Sequence, residues 1–147
     1  MGGFPQNFTI QNRLRKQEKI TFVISGGNQS FQRIDNVVIL PYRSKFYHPD
    51  LIHASDVVVG KAGYSTLAEV YDARVPFIFI KRPSFRESEK VATYIKKHIT
   101  SMDITENQFE NGQWISQLPD VMSSPKAIRN GTPGAQQAAE YIYRLVS

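Results

Sequence analysis

Short apolar blocks alternate along this chain with segments whose apolar residues recur every three or four positions. The blocks fall at residues 20–24, 37–40, 57–59 and 77–80. Each is rich in β-branched or aromatic residues and is followed within three positions by glycine or proline, which reads as a strand and its exit. The blocks are nearly continuous in hydrophobicity. That pattern belongs to strands covered on both faces, as in a parallel sheet between helices. Helix-length segments separate them. Residues 7–18 carry Phe8, Ile10 and Leu14; residues 48–55 are shorter; residues 64–73 carry Leu67, Val70 and Tyr71; residues 87–97 carry Val91, Tyr94 and Ile95. Strand, helix, strand, helix in this order predicts a doubly wound, Rossmann-like α/β domain of three layers around a parallel sheet. Beyond His98 the pattern weakens. Residues 99–104 predict a last short strand, residues 113–122 a helix interrupted at Pro119, and residues 134–146 a terminal helix announced by the turn residues before it.

The chain starts abruptly. Gly2-Gly3 reads like the loop that follows a strand, yet no strand precedes it. The expectation is one domain over residues 1–147 whose first strand is cut off, together with any partner domain upstream. A sheet edge left open in that way favours self-association.

Composition narrows the class. The length of 147 residues suits one core, and 41% hydrophobic with 21% charged residues argues against disorder and low complexity. The absence of cysteine removes disulfides and thiolate metal sites. No apolar run approaches the ~20 residues of a membrane helix, and the N-terminus lacks a basic stretch leading into an apolar one. A cytoplasmic protein is expected. Eighteen Lys and Arg against thirteen Asp and Glu leave a net charge of +5. This fits a mildly basic solvated surface, or an anionic ligand or partner such as a nucleotide, a phosphate or an acidic membrane. Nucleic acid is not expected, because the basic residues are not interleaved with aromatic ones.

The most informative stretch is SDVVVGKAGYSTLAEVYDARVPFIFI, residues 55–80: a buried strand, a glycine-bearing turn, a helix and another buried strand. Gly60 and Gly63 allow a sharp turn and close approach of a ligand. Ser65 and Thr66 place hydroxyls and backbone N–H groups at a helix start, where unpaired donors and the positive dipole end suit a phosphate. Glu69, one turn further on, can accept hydrogen bonds from a vicinal diol such as a ribose. The turn falls at a strand's carboxyl end, where doubly wound sheets bind ligands. A plainer reading fits the same residues: Ser65 or Thr66 caps the helix and Glu69 is an ordinary surface residue.

Residues 60–80, GKAGYSTLAEVYDARVPFIFI, resemble the signature turn and helix of the C-terminal domain of GT-B glycosyltransferases, the glycosyltransferase family 28 C-terminal type. The MurG-like family, which transfers N-acetylglucosamine from UDP-N-acetylglucosamine, shows the same strand, S/A-G, T and E spacing. The resemblance extends upstream through NVVILPYRSKFYHPDLIHAS and downstream to RPSFRESEKVATYI, and MGGFP looks like the remnant of a glycine-rich strand end. The sequence is also similar to the glycosyltransferase-like half of plant L-arabinokinases, with GK-x-GYGT-x-x-E where this chain has GKAGYSTLAE.

The resemblance implies roles residue by residue. Gly2 and Gly3 would face the donor diphosphate, and Gly63, Ser65 and Thr66 would complete that site. Glu69 would bind the ribose hydroxyls. The loop from Tyr42 through Arg43 to Phe46 would lie against the uracil. Arg86, Glu87 and Ser88 would read the donor sugar or phosphates. The family carries side-chain amides in that last region; Glu87 and Glu89 replace them here, and a carboxylate can accept from hydroxyls but not donate. Implied for the whole protein is transfer from a UDP-sugar with no metal or other cofactor, the acceptor site and catalytic base coming from a missing N-terminal domain. No catalytic residue is expected in this chain, which alone would bind a donor and catalyse little. A regulatory module of the kind fused to sugar kinases, and a nucleotide-sugar hydrolase or epimerase, are the alternatives.

Other motifs add little. His48, His53 and His98 form no metal-ligand pattern; His48 stands out because it starts the helix after the proposed base loop. Neither a G-x-S-x-G elbow nor a P-loop is present. Ser25-Gly26-Gly27 reads as a strand end, Lys81-Arg82 and Lys96-Lys97 as solvated basic pairs, and Trp114, Ile115 and Leu118 as the core of the late helix.

Overall fold

The computed structural model describes residues 11–82, 84–126 and 131–146. It contains α1 (Gln11–Arg15), β1 (Phe22–Asn28), β2 (Gln32–Ile34), β3 (Val37–Pro41), α2 (His48–His53), β4 (Val58–Lys61) and α3 (Tyr64–Ala73). Then follow β5 (Phe77–Ile80), α4 (Ser88–His98), β6 (Ser101–Ile104), α5 (Glu106–Glu110), a 3-10 turn (Gln113–Gln117), α6 (Leu118–Ser123) and α7 (Gly134–Val146).

The α/β, Rossmann-like class is what the structure shows, with strands β1 and β3 parallel and β4, β5 and β6 parallel. Its layers can be read from β5, whose four residues are all buried. Ile78 and Ile80 join Leu14, Ile24, Val37, Ile39, Trp114 and Leu118 in one apolar cluster. Phe77 and Phe79 join Ile52, Leu67, Val70, Val91 and Ile95 in a second. Successive strand residues point to opposite faces, so β5 is sandwiched between two helical layers.

Four details depart from expectation. Among the described residues the strands form two sheets of order β1-β3-β2 and β4-β5-β6, not one continuous sheet. The first carries the antiparallel hairpin β2–β3, turning at Asp35-Asn36 with Asp35 at φ 54°. Asn36 Nδ2 donates to the carbonyls of Leu14, Gln17 and Ile20 at 3.0, 2.9 and 2.7 Å. These bonds help end α1 at Arg15, short of the predicted Glu18.

The second departure is in β1. Ser25-Gly26-Gly27 lies within the strand as a bulge, with the pairing to β3 shifted between Ile24 and Asn28. Gly26 sits at φ 71°, and a Cβ on Gly27 would come 2.8 Å from Ile39 Cγ2, so both positions need glycine. The third concerns residues 113–122. Pro119 does not interrupt a helix there; it lies in the first turn of α6, after the 3-10 turn, where its missing N–H costs nothing. Finally, Thr105 starts the unpredicted helix α5 through a capping box with Gln108.

Trp114 is core as expected. It is stacked on Phe109, edge-on to Phe22, and its Nε1 donates to the Phe109 carbonyl at 3.2 Å. The terminal helix α7 forms over its predicted span, and none of its residues is buried. No described helix is long and apolar enough to cross a membrane.

Candidate functional site

Three loops leave the carboxyl ends of parallel strands: Tyr42–Tyr47 after β3, Ala62-Gly63 after β4, and the segment from Lys81 to Glu87 after β5. The sharpest is at Gly63. The Gly63 N–H donates to the Lys61 carbonyl at 2.9 Å, turning the chain straight into α3. Gly63 is the N-cap residue, in extended conformation at φ −113° and with no side-chain cap. Neither Ser65 nor Thr66 therefore spends its hydroxyl on capping. The first turn of α3 keeps its donors directed outwards, and a Cβ built at Gly63 or Gly60 would meet nothing within 4 Å. Ser65 is exposed and Thr66 half-buried, so of the predicted phosphate residues Gly63, Ser65 and Thr66 share one open helix start.

Glu69 lies on the same helix, half-buried. Its Oε2 accepts a hydrogen bond from His48 Nδ1 at 2.6 Å. This places the start of α2 against α3; a second pair, His53 Nε2 to Asp72 Oδ2, spans the same two helices at 3.7 Å. Helix α2 is led in by the segment Tyr42–Tyr47, so His48 ties the predicted base loop to the predicted ribose residue. In that loop Tyr42, Arg43 and Phe46 are exposed. Ser44 Oγ accepts from the Phe46 N–H at 3.1 Å, a local turn that holds Phe46 outwards. The Tyr42 ring passes close over Gly26 of the β1 bulge, Cδ1 lying 3.6 Å from where a Cβ would stand.

The loop after β5 is organised from within. The Arg82 guanidinium stacks 3.8 Å over the Phe85 ring, and the Arg82 N–H donates to Ser88 Oγ at 3.0 Å. Ser88 is buried, so its hydroxyl shapes the loop. Arg86 and Glu87 are exposed, Glu87 is the N-cap residue of α4 with no side-chain cap, and Glu89 lies 3.8 Å from Lys81 Nζ. Gly2 and Gly3 lie outside the described residues.

Two links were not foreseen, the His48–Glu69 bond and the Arg82–Ser88 clasp. For the first, the position of His48 at a helix start was the available signal. For the second nothing in the local sequence announces it. Among the described residues no group of three or more histidines and carboxylates could hold a metal ion.

The family model of the glycosyltransferase family 28 C-terminal domain matches residues 3–145. The chain belongs to this family. As a family 28 C-terminal domain it is similar to L-arabinokinase of Arabidopsis thaliana, 27% identical over 82% of this chain and 11% of the relative. It is also similar to the UDP-N-acetylglucosamine--N-acetylmuramyl-(pentapeptide) pyrophosphoryl-undecaprenol N-acetylglucosamine transferase of Halalkalibacterium halodurans, 26% identical over 89% of this chain and 40% of the relative. The Bacillus licheniformis protein of the same name is 23% identical over 93% and 41%. The family 28 domain thus spans well under half the length of these curated relatives. No solved structure matches the chain.

Proposed function

We propose that this domain binds the donor of a glycosyltransferase, a UDP-sugar of the UDP-N-acetylglucosamine type. One observation carries the reading: a half-buried carboxylate, Glu69, is held in place one turn inside a helix whose N-terminus is open and uncapped. The helix start at Gly63, Ser65 and Thr66 suits a diphosphate, whose charge the backbone N–H groups and dipole stabilise. Glu69 suits the ribose diol, and the exposed Tyr42, Arg43 and Phe46 suit the base. Arg86 and Glu87 are free to meet the sugar; Ser88 acts by holding their loop. The transferases among the relatives act on UDP-N-acetylglucosamine by name, which supports this donor class. In the whole protein, a second domain supplies the acceptor site and the base.

Titration of UDP into the 147-residue chain tests the reading. Amide signals of Gly63, Ser65, Thr66 and Glu69 shift, and Glu69→Ala weakens UDP about tenfold or more while sparing pyrophosphate, since charged hydrogen bonds are worth ~1.5–3 kcal/mol. No shift at these residues, or equal losses for UDP and pyrophosphate, refutes it.

The similarity to L-arabinokinase favours a second reading, a nucleotide-sugar-binding module that regulates an attached enzyme. Under that reading Glu87→Gln leaves sugar preference untouched. Under the donor reading it changes the preference among UDP-sugars without changing UDP affinity.

A further inference from the structure

We propose that His48 is a positioning residue that pre-orders Glu69 for a vicinal diol; the inference rests on the donor-binding reading above. Glu69 carries three side-chain torsions, and a free glutamate at a helix surface samples many of them. Here one of its oxygens is fixed. A carboxylate only accepts, so in this 2.6 Å contact the imidazole Nδ1–H is the donor to Oε2. The bond uses one lone pair of Oε2. It leaves Oε1 and the second lone pair of Oε2 for two hydroxyl donors, the number a ribose diol offers.

The imidazole is itself held. His48 is the first residue of α2, with Pro49 behind it fixing the backbone, and its side chain is about one-third exposed. One turn along α2, His53 faces Asp72 of α3 at 3.7 Å, and Ile52 packs with Leu67 and Val70 between the same two helices. The backbone that positions His48 is therefore the exit of the Tyr42–Tyr47 loop. Base contacts on that loop and ribose contacts on α3 are set at a common spacing by one hydrogen bond. The ligand class this recognises is a ribonucleoside diphosphate with both ribose hydroxyls present.

Ordering a flexible side chain before binding is worth about threefold to tenfold in affinity. Calorimetric titrations of the 147-residue chain with UDP, 2′-deoxy-UDP and pyrophosphate, with thermal melts of each variant, provide the test. His48→Ala weakens UDP by that factor, weakens 2′-deoxy-UDP less, and leaves pyrophosphate unchanged. His48→Asn, whose amide can donate from near the Nδ1 position, recovers most of the loss. In a Glu69→Ala background His48→Ala has no further effect, because the two residues act as one unit.

Equal losses for all three ligands, an undiminished loss in the Glu69→Ala background, or a His48→Asn variant that melts normally yet binds like His48→Ala overturns the proposal. If UDP binds and Glu69→Ala weakens it while His48→Ala does not, only the role of His48 falls. If wild-type protein does not bind UDP, the donor-binding reading falls and this inference with it.

Discussion

The two sheets are built from similar apolar blocks and end up in different surroundings. In the β4-β5-β6 sheet the central strand β5 is covered on both faces, and Phe77, Ile78 and Phe79 are 0% exposed. In the β1-β3-β2 sheet the described partners cover one face well and the other less. Ile24 is buried, while its neighbour Val23 is 51% exposed. The edge strand β2 is exposed at all three positions. One half is held mainly by packing. The other packs Ile24, Val37 and Ile39 on one face and adds directed polar ties, chiefly the Asn36 clip on Leu14, Gln17 and Ile20, with the exposed ion pair of Arg15 and Asp35 at 2.7 Å worth little. A continuous apolar run therefore signals a strand, and its neighbours decide how much of that apolar surface is used.

The contrast is sharpest in a pair of truncations. Phe77→Ala removes a ring buried among Leu67, Val70 and Ile95 and costs ~3–5 kcal/mol in urea unfolding. Val23→Ala, in the block of like sequence, costs less than about 1 kcal/mol. Equal costs would erase the distinction between the halves. Next in size is Asn36→Ala. It removes the amide that bonds three backbone carbonyls, two of which also accept from backbone N–H groups, and lowers stability by ~1–3 kcal/mol, with hydrogen exchange rising first in α1 and at the start of β1. A loss confined to a few tenths would make the clip ornamental.

A smaller effect belongs to the edge of the packed sheet. Asp103 on β6 is held below its ordinary pKa of 3.8, chiefly by the Lys96 hydrogen bond at 2.8 Å, then by the charges of Lys96 and Lys81, against the cost of burial. A carboxyl whose folded pKa is depressed stabilises fully above its unfolded value and loses that contribution as pH falls through the folded one. With the side chain 38% exposed, solvent screens the pair, and Asp103→Asn costs under about 1 kcal/mol at pH 7. Melting curves of the two proteins start to converge near about pH 4 and meet only as pH falls through the depressed folded value. The smallest change has the opposite sign. Arg74 ends α3 in the left-handed region at φ 57°, so Arg74→Gly raises stability by ~0.5–1 kcal/mol.

What the sequence disclosed tracks how local each feature is. Helix α3 spans Tyr64–Ala73 as the 3.6-residue pattern predicts, and β5 falls on its apolar block. The turn between β4 and α3 was legible because strand, glycine and helix are contiguous. The hairpin strand β2 was not. Gln32-Arg33-Ile34 has no apolar face to show, and its pairing lies in backbone bonds to β3, with Asp35-Asn36 as the only cue. Residues 113–122 divide differently from the pattern because Pro119 serves equally as a breaker and as a first-turn residue. That Gly63, Ser65, Thr66 and Glu69 share one turn and helix could be read from spacing. That His48 bonds Glu69, 21 residues away, depends on how α2 packs against α3, which no local pattern contains.

The seam between the two sheets has a mechanical consequence. Among the described residues β1 and β4 share a side-chain cluster but no hydrogen-bonded ladder. A ladder has teeth, and slipping it means breaking bonds at a defined register. An apolar contact has none; it resists separation far more than sliding. The loop Tyr42–Tyr47 hangs from β3 on one side of that seam and delivers α2 to the other. Strand pairing thus leaves the span between the base loop and helix α3 unset, and the His48–Glu69 bond between α2 and α3 is what fixes it.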